Sequence, residues 1–191
     1  NLIKSTKSLK SKSMKYTFEQ GYPLLQNTPT VIQALSEELS DEWIHANEGP
    51  ETWSFYDILG HLIHCEEADW LPRLEIILSD KKSKKFPAFD RNGHVEKCKG
   101  LNLDDLLLRF KSKRAFNLDS LRNMQLSEDA MFLKGIHPEF GPVTIEALLN
   151  AWVAHDLNHL AQMCRVLASQ TKEAVGPWKA YMPILGDRNK G

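Results

Sequence analysis

Residues 144–166 have the sequence TIEALLNAWVAHDLNHLAQMCRV. The apolar residues recur at the three- and four-residue intervals of an amphipathic helix, and Thr144 is suited to cap its start. His155 and His159 fall on the same face as these apolar residues, so both imidazoles should point towards the protein interior. Buried imidazoles need partners for their ring nitrogens. The apolar face comprises Ile145, Leu148, Ala151, Trp152, Met163 and Val166.

Three further segments show the same helical periodicity. The first is predicted to run from a cap at Thr28 to about Asn47. The second is predicted over residues 54–80, with a kink near Pro72, which cannot donate a backbone hydrogen bond. The third should begin after the cap residue Asn102. Four such helices without a convincing strand pattern predict an all-α protein, a four-helix bundle with long connecting loops.

Two of the connections have a distinctive composition. Residues 81–94, KKSKKFPAFDRNGH, are dense in lysine and turn-forming residues and should form an exposed loop. Residues 135–143, GIHPEFGPV, hold two glycines and two prolines, and are predicted to form an irregular connector before the last helix.

The overall composition argues against several classes of partner. Lysine and arginine number 24 and aspartate and glutamate 25, so the charge gives no reason to expect nucleic-acid binding. No segment approaches the roughly 20 apolar residues that span a bilayer, so no membrane association is expected. The cysteines at positions 65, 98 and 164 have no paired spacing, which favours free thiols and a cytoplasmic location.

The chain of 191 residues is long enough for one well-filled domain. Its first fifteen residues, NLIKSTKSLKSKSMK, carry five lysines and no acidic residue. We expect residues 1–15 to be a disordered tail and residues 16–191 to form a single domain.

Histidines four residues apart on a helix lie about one turn apart, close enough for two ring nitrogens to bind one metal ion. The alternative is a pair of hydrogen-bonded core histidines. Gln162 lies on the same face as His155 and His159, and could hydrogen-bond one of them or pair with another buried group. The second helix supplies His61, predicted to be buried, and His64, predicted to be solvated.

Other polar residues near these histidines receive simpler interpretations. Cys65 could bind a metal ion as a thiolate, but we prefer the interpretation that it is a small buried apolar side chain. Asp156 is expected at the helix surface, and Arg73 in a surface ion pair with a glutamate. His94 is expected to be solvated. The tryptophans at 53, 152 and 178 are expected to pack in the core or at its rim.

Three stretches resemble the DinB-like superfamily, the DinB/YfiT group of metal-binding four-helix bundles: GHLIHCEEADWLPR, HPEFGPVTIEALLNAWVAHDLNHLAQ and VGPWKAYM. The resemblance extends over nearly the whole chain after the lysine-rich opening. It implies that three histidines bind a divalent metal, and these correspond here to His61, His155 and His159. It also implies a thiol-dependent transferase or isomerase as one theme of the family, with homodimers common among relatives.

Three neutral imidazoles leave at least one coordination position open, as in catalytic zinc sites. Zinc or nickel is expected, with iron or manganese as alternatives, and a low-molecular-weight thiol could be a second cofactor. The leading hypothesis is therefore a metal-dependent, thiol-dependent S-transferase acting on a small molecule. The alternatives are a non-enzymatic metal-binding or stress-associated protein and, ranked below thiol chemistry, a metal-dependent hydrolase.

Overall fold

The computed structural model describes residues 17–186. The predicted tail over residues 1–15 lies outside this range. Within it, no helix combines the length and the apolar character needed to cross a membrane. The helices are α1 (Phe18–Ser36), α2 (Asp41–His45), α3 (Phe55–Ala68), α4 (Trp70–Leu78), α5 (His94–Cys98), α6 (Leu103–Asn123) and α7 (Ile145–Ser169).

The first helix begins eleven residues earlier than the sequence predicted, with its N-cap at position 17 and not 28. Thr17 is its N-cap, and the Thr17 N–H donates to Gln20 Oε1 at 3.0 Å, so a capping interaction precedes Phe18. Thr28 lies inside α1, where its hydroxyl donates to the Leu24 carbonyl. The predicted end was also wrong: α1 stops at Ser36, and the short α2 is separated from it by Glu38, which has a positive φ of 60°.

The second predicted segment is interrupted as expected. Ser54 caps α3 by accepting a hydrogen bond from the Asp57 N–H at 3.2 Å. Asp69, with φ −115° and ψ −80°, separates α3 from α4. The break lies three residues before Pro72, because the proline ring clashes with the carbonyl four residues earlier and cannot bond to it. The predicted caps Asn102 and Thr144 are also confirmed.

Four long helices form the predicted bundle. α1 packs on α6 and α7, and α3 packs on the same two helices, so α1 lies diagonally opposite α3. The buried apolar residues of the bundle form two clusters, and each cluster contains one end of every long helix. Helices whose first turns lie in the same cluster therefore run in the same direction. The starts of α3 and α6 share one cluster and the starts of α1 and α7 share the other. α3 and α6 are therefore parallel, and residues 79–102 form a long crossover between them.

A small antiparallel hairpin joins α6 to α7, where the sequence predicted an irregular connector. β1 (Lys134–His137) pairs with β2 (Gly141–Thr144), with Gly135 opposite Val143. The hairpin also binds the crossover, since the Phe86 N–H donates to the Ile136 carbonyl. Phe86 is consequently buried, and the loop over residues 81–94 is not exposed throughout. Strands of four residues are too short to show a clear alternating pattern in the sequence. They are stabilised by pairing with each other and by hydrogen bonds to the crossover.

A polar layer separates the two apolar clusters. Along α6, Arg114 lies between Phe110 of one cluster and Leu118 of the other. Along α7, residues 155–159 lie between Val153 and Met163 in the same way. The candidate site is therefore at mid-height in the bundle.

Candidate metal centre

The structure brings together the three histidines that the sequence singled out. His61 comes from α3, and His155 and His159 come from α7. The Nε2 atom of His155 lies 3.3 Å from Nε2 of His61 and 3.1 Å from Nε2 of His159. One ligand atom from each ring lies within 4.8 Å of the other two, a cluster that could hold a metal ion.

Hydrogen bonds orient two of the three rings. Nδ1 of His61 lies 3.3 Å from the Arg91 carbonyl, and Nδ1 of His159 lies 2.9 Å from Oε1 of Gln162. Because a carbonyl oxygen can only accept, both Nδ1 atoms carry the ring hydrogen. The Nε2 lone pairs of His61 and His159 then face the centre of the cluster. Gln162 therefore takes the role of a residue that orients a candidate ligand.

All three imidazoles are neutral at physiological pH. Burial, followed by the neighbouring His159, lowers the pKa of His61 to about 3. Burial, followed by His159 and His61, lowers the pKa of His155 to about 2. The pKa of His159 is also lowered, by burial, although the hydrogen bond with Gln162 opposes this. Neutral imidazole is the form that binds metals.

The separations suit a single small cation. Two imidazole nitrogens that bind one zinc ion at about 2.05 Å in tetrahedral geometry are about 3.3 Å apart. The two short Nε2 separations, 3.3 and 3.1 Å, match this value. The residues present therefore fit a divalent ion.

Aromatic rings form the walls of the cluster. Trp53 lies 4.6 Å from the His61 ring and 6.2 Å from the His159 ring, between centroids. Trp70 contacts the His155 ring edge-on at 5.1 Å. Trp152 and Trp178 were also predicted to pack in the core or at its rim: Trp152 is buried in the core, whereas Trp178 is 66% exposed. The His155 side chain is partly exposed, whereas His61 and His159 are buried.

Cys65 lies beside the cluster and belongs to the buried apolar core, as the sequence predicted. Its Sγ lies 3.4 Å from Nε2 of His61 and 3.9 Å from Nε2 of His155. The side chain is 1% exposed. Burial raises the pKa of the Cys65 thiol, with a smaller contribution from Asp69.

Asp156 was predicted at the helix surface and is instead 1% exposed. Its carboxylate accepts two hydrogen bonds from Arg114, at 2.6 and 3.0 Å. Arg114 also donates to Glu66 at 2.8 Å, and Glu66 accepts further bonds from Asn117 and Trp152. The group places two carboxyl groups around one guanidinium, and burial raises the pKa of Glu66. Sequence reasoning missed it, although Arg114 follows Phe110 and precedes Leu118 at helical spacing.

The crossover buries two histidines that were predicted to be solvated. His64 is 6% exposed, and its Nε2 lies 3.1 Å from the Asp90 carbonyl while Lys97 approaches its Nδ1. His94 is 2% exposed and lies edge-on to Trp53. The helical pattern of α3 alone could not show that residues 79–102 return across this face.

Arg73 was also misplaced by the sequence analysis. It is 7% exposed and pairs with Asp69 at 2.7 Å, not with a glutamate at the surface. The guanidinium lies 5.3 Å from the centre of the Phe86 ring. Burial raises the pKa of Asp69 to about 6, and the charge of Arg73 opposes this.

Comparison with known proteins supports the four-helix bundle fold. Residues 24–163 match the DinB superfamily. YfiT from Bacillus subtilis, described as a probable metal-dependent hydrolase with an unusual four-helix bundle topology, superposes with a TM-score of 0.70 at 14% identity, over 85% of this chain and 93% of YfiT. TT2238, a four-helix bundle protein, superposes with a TM-score of 0.52 at 19% identity, over 78% of this chain and 98% of TT2238. No curated protein sequence matches significantly. The sequence match over most of the chain, together with the shared fold, places this protein in the DinB superfamily.

Proposed function

We propose that this protein binds a divalent metal ion through His61, His155 and His159, and uses it for nucleophilic chemistry on a small molecule. The observation that carries the proposal is the convergence of Nε2 atoms, 3.1 and 3.3 Å apart, from neutral imidazoles. Two of these rings are oriented by hydrogen bonds at Nδ1. The match to the DinB superfamily supports the same site.

The donor set favours zinc or nickel over iron or manganese. Imidazole binds the later divalent metals more tightly, and no carboxylate belongs to the cluster among the described residues. A divalent ion held by three neutral imidazoles lowers the pKa of a coordinated water or thiol towards neutrality.

Thiol-dependent S-transfer is the reaction that we favour. The aromatic walls formed by Trp53 and Trp70 suit a soft, polarizable sulfur better than a strongly hydrated oxygen anion. Hydrolysis would need a general acid or base near the ion. The described buried carboxylates are engaged elsewhere, Asp69 with Arg73, and Glu66 and Asp156 with Arg114.

Metal-dependent hydrolysis is the second candidate, because YfiT, which shares this fold, is described as a probable metal-dependent hydrolase. A non-enzymatic metal-binding role would use the same three histidines and is the third. Association as a homodimer and a cytoplasmic location stay predictions from the sequence.

Elemental analysis of the purified protein tests the metal site. We expect about one divalent ion per chain in the wild type, and loss of that ion in His159→Ala. His45→Ala is the matched control, since His45 is exposed, hydrogen-bonds to the Asp41 carbonyl, stacks on Tyr56 and is outside the metal cluster. Unchanged metal content in His159→Ala would contradict the proposal.

The reaction class is tested by offering electrophilic substrates with and without a small thiol. Turnover that requires both the metal and the thiol supports S-transfer. Metal-dependent turnover of esters or amides without thiol supports hydrolysis. A metal-loaded protein without either activity supports the binding role.

A further inference from the structure

Two histidines of α3 donate hydrogen bonds to consecutive carbonyl groups of the crossover. Nδ1 of His61 lies 3.3 Å from the Arg91 carbonyl, and Nε2 of His64 lies 3.1 Å from the Asp90 carbonyl. Both nitrogens carry the ring hydrogen, because a carbonyl oxygen can only accept. His61 belongs to the metal cluster, whereas His64 does not. The candidate ligand and a second histidine are therefore connected through one short segment of the crossover.

His64 is enclosed by the crossover on several sides. The Phe89 ring stacks on the imidazole with the two centroids 4.8 Å apart. Lys97 Nζ lies 3.1 Å from Nδ1, the nitrogen whose lone pair is free to accept a hydrogen bond. The backbone at Gly93 is so close that a Cβ there would lie 2.5 Å from Nε2 of His64. These contacts fix the crossover against α3 at this point.

The Arg91 carbonyl determines which nitrogen of His61 faces the candidate metal site. While Nδ1–H is bonded to this carbonyl, the Nε2 lone pair faces the centre, 3.3 Å from Nε2 of His155. Movement of the carbonyl would leave a buried N–H without an acceptor and would release the ring. His64 limits this movement, because it binds the carbonyl of the preceding residue.

We propose that His64 is a positioning residue of the metal centre, which holds the Asp90 carbonyl and thereby fixes the Arg91 carbonyl and the His61 ring. The inference rests on the proposed metal site and adds the crossover to it as an outer layer. Outer hydrogen bonds of this kind typically contribute about 10–100-fold to metal affinity. Because energetic coupling is reciprocal, a bound ion should also hold the crossover in place.

Zinc affinity, measured by competition with a chromophoric chelator, tests this role. His64→Leu removes both hydrogen bonds of the ring and should bind zinc about tenfold or more weakly. His64→Gln keeps an N–H donor for the Asp90 carbonyl and should restore most of the affinity. Tyr56→Phe is the matched control on α3 and should leave the affinity unchanged. The Tyr56 hydroxyl contacts the other end of the crossover, at the carbonyls of Cys98 and Leu101.

Three results would overturn the inference: unchanged zinc affinity in His64→Leu, equal weakening in His64→Gln, or equal weakening in Tyr56→Phe. The last would show that any loosening of the crossover weakens zinc binding. In each case the wild type still binds zinc, so the three-histidine site stands. Failure of the wild type to bind zinc would overturn both proposals.

Hydrogen exchange in the wild type makes the test independent of any variant. The Gly93 N–H donates to the same Asp90 carbonyl as His64. Zinc should slow the exchange of this amide more than that of the Val175 amide, which lies beyond the end of α7. Equal exchange of the Gly93 amide with and without bound zinc would overturn the coupling between the crossover and the metal centre.

Discussion

Arg114 donates a hydrogen bond of 2.8 Å from Nη1 to the backbone carbonyl of Leu25. That carbonyl lies four residues before Pro29, whose nitrogen has no hydrogen to donate within α1. The same guanidinium binds Asp156 on α7 and Glu66 on α3. One side chain of α6 therefore contacts all three of the other long helices at the level of the candidate metal site.

Replacing Arg114 should strongly destabilise the protein. Arg114→Met would leave the carboxylates of Glu66 and Asp156 buried without their cation, and we expect the free energy of unfolding to fall by about 3–5 kcal/mol. Urea unfolding of the wild type and the variant measures this loss of free energy. Arg109→Met is the matched control on the same helix, because its ion pair with Glu67 is partly exposed and should contribute about 1 kcal/mol or less. Equal effects of the two substitutions would contradict the central role of Arg114.

Removing the metal should lower the melting temperature. An ion present at about 100 times its dissociation constant stabilises the folded state by about 2.7 kcal/mol, equivalent to roughly 5–10 °C in a protein of this size. Thermal unfolding with and without a chelator measures the shift. His159→Ala should melt at the same temperature in both conditions, and a shift of equal size in this variant would show that the metal binds elsewhere.

The metal-free protein should lose stability as the pH falls below 6.5. The pKa of His61 is about 3 in the folded state against an ordinary value of 6.5, so the unfolded state binds more protons between these values. The contribution of His61 to the free energy of unfolding is complete above pH 6.5. It is lost on acidification, at up to about 1.4 kcal/mol per pH unit.

Comparison with His61→Gln isolates this contribution, because glutamine does not titrate. Asp69, whose raised pKa of about 6 acts with the opposite sign between pH 3.8 and 6, is present in both proteins and cancels in the difference. Urea unfolding at pH 7, 6 and 5 in the presence of a chelator should show the stability difference between wild type and variant shrinking. A difference that stays constant would rule out a lowered pKa for His61.

Gly135→Ala should destabilise the contact between the hairpin and the crossover. A Cβ at this position would lie 2.9 Å from a carbon of Ile77 and still closer to the Phe86 ring. Overpacking of this kind costs about 1–3 kcal/mol. Thermal unfolding measures the loss, and the effect should be smaller in a Phe86→Leu background, which provides space. An additive effect of the two substitutions would contradict a direct clash.

Part of the candidate site was predictable from the sequence, because the face of a helix on which a side chain lies depends only on that helix. The spacing of His155 and His159 places them on one face of any regular helix, and the wheel of α3 selected His61 over His64. Asp156 shows the limit of this reasoning. It lies beside His155 in the sequence, and only the position of Arg114, 42 residues away, makes its burial favourable.

The sequence by itself determined the local features: the caps at Ser54, Asn102 and Thr144, the interruption before Pro72, and the four-helix character. Each depends on interactions within a few residues, which any chain with this sequence would make. The tertiary structure decided which helices are parallel, how the crossover buries His64 and His94, and which charges meet in the polar layer. These depend on contacts between distant segments, whose free energy exists only once the helices have packed.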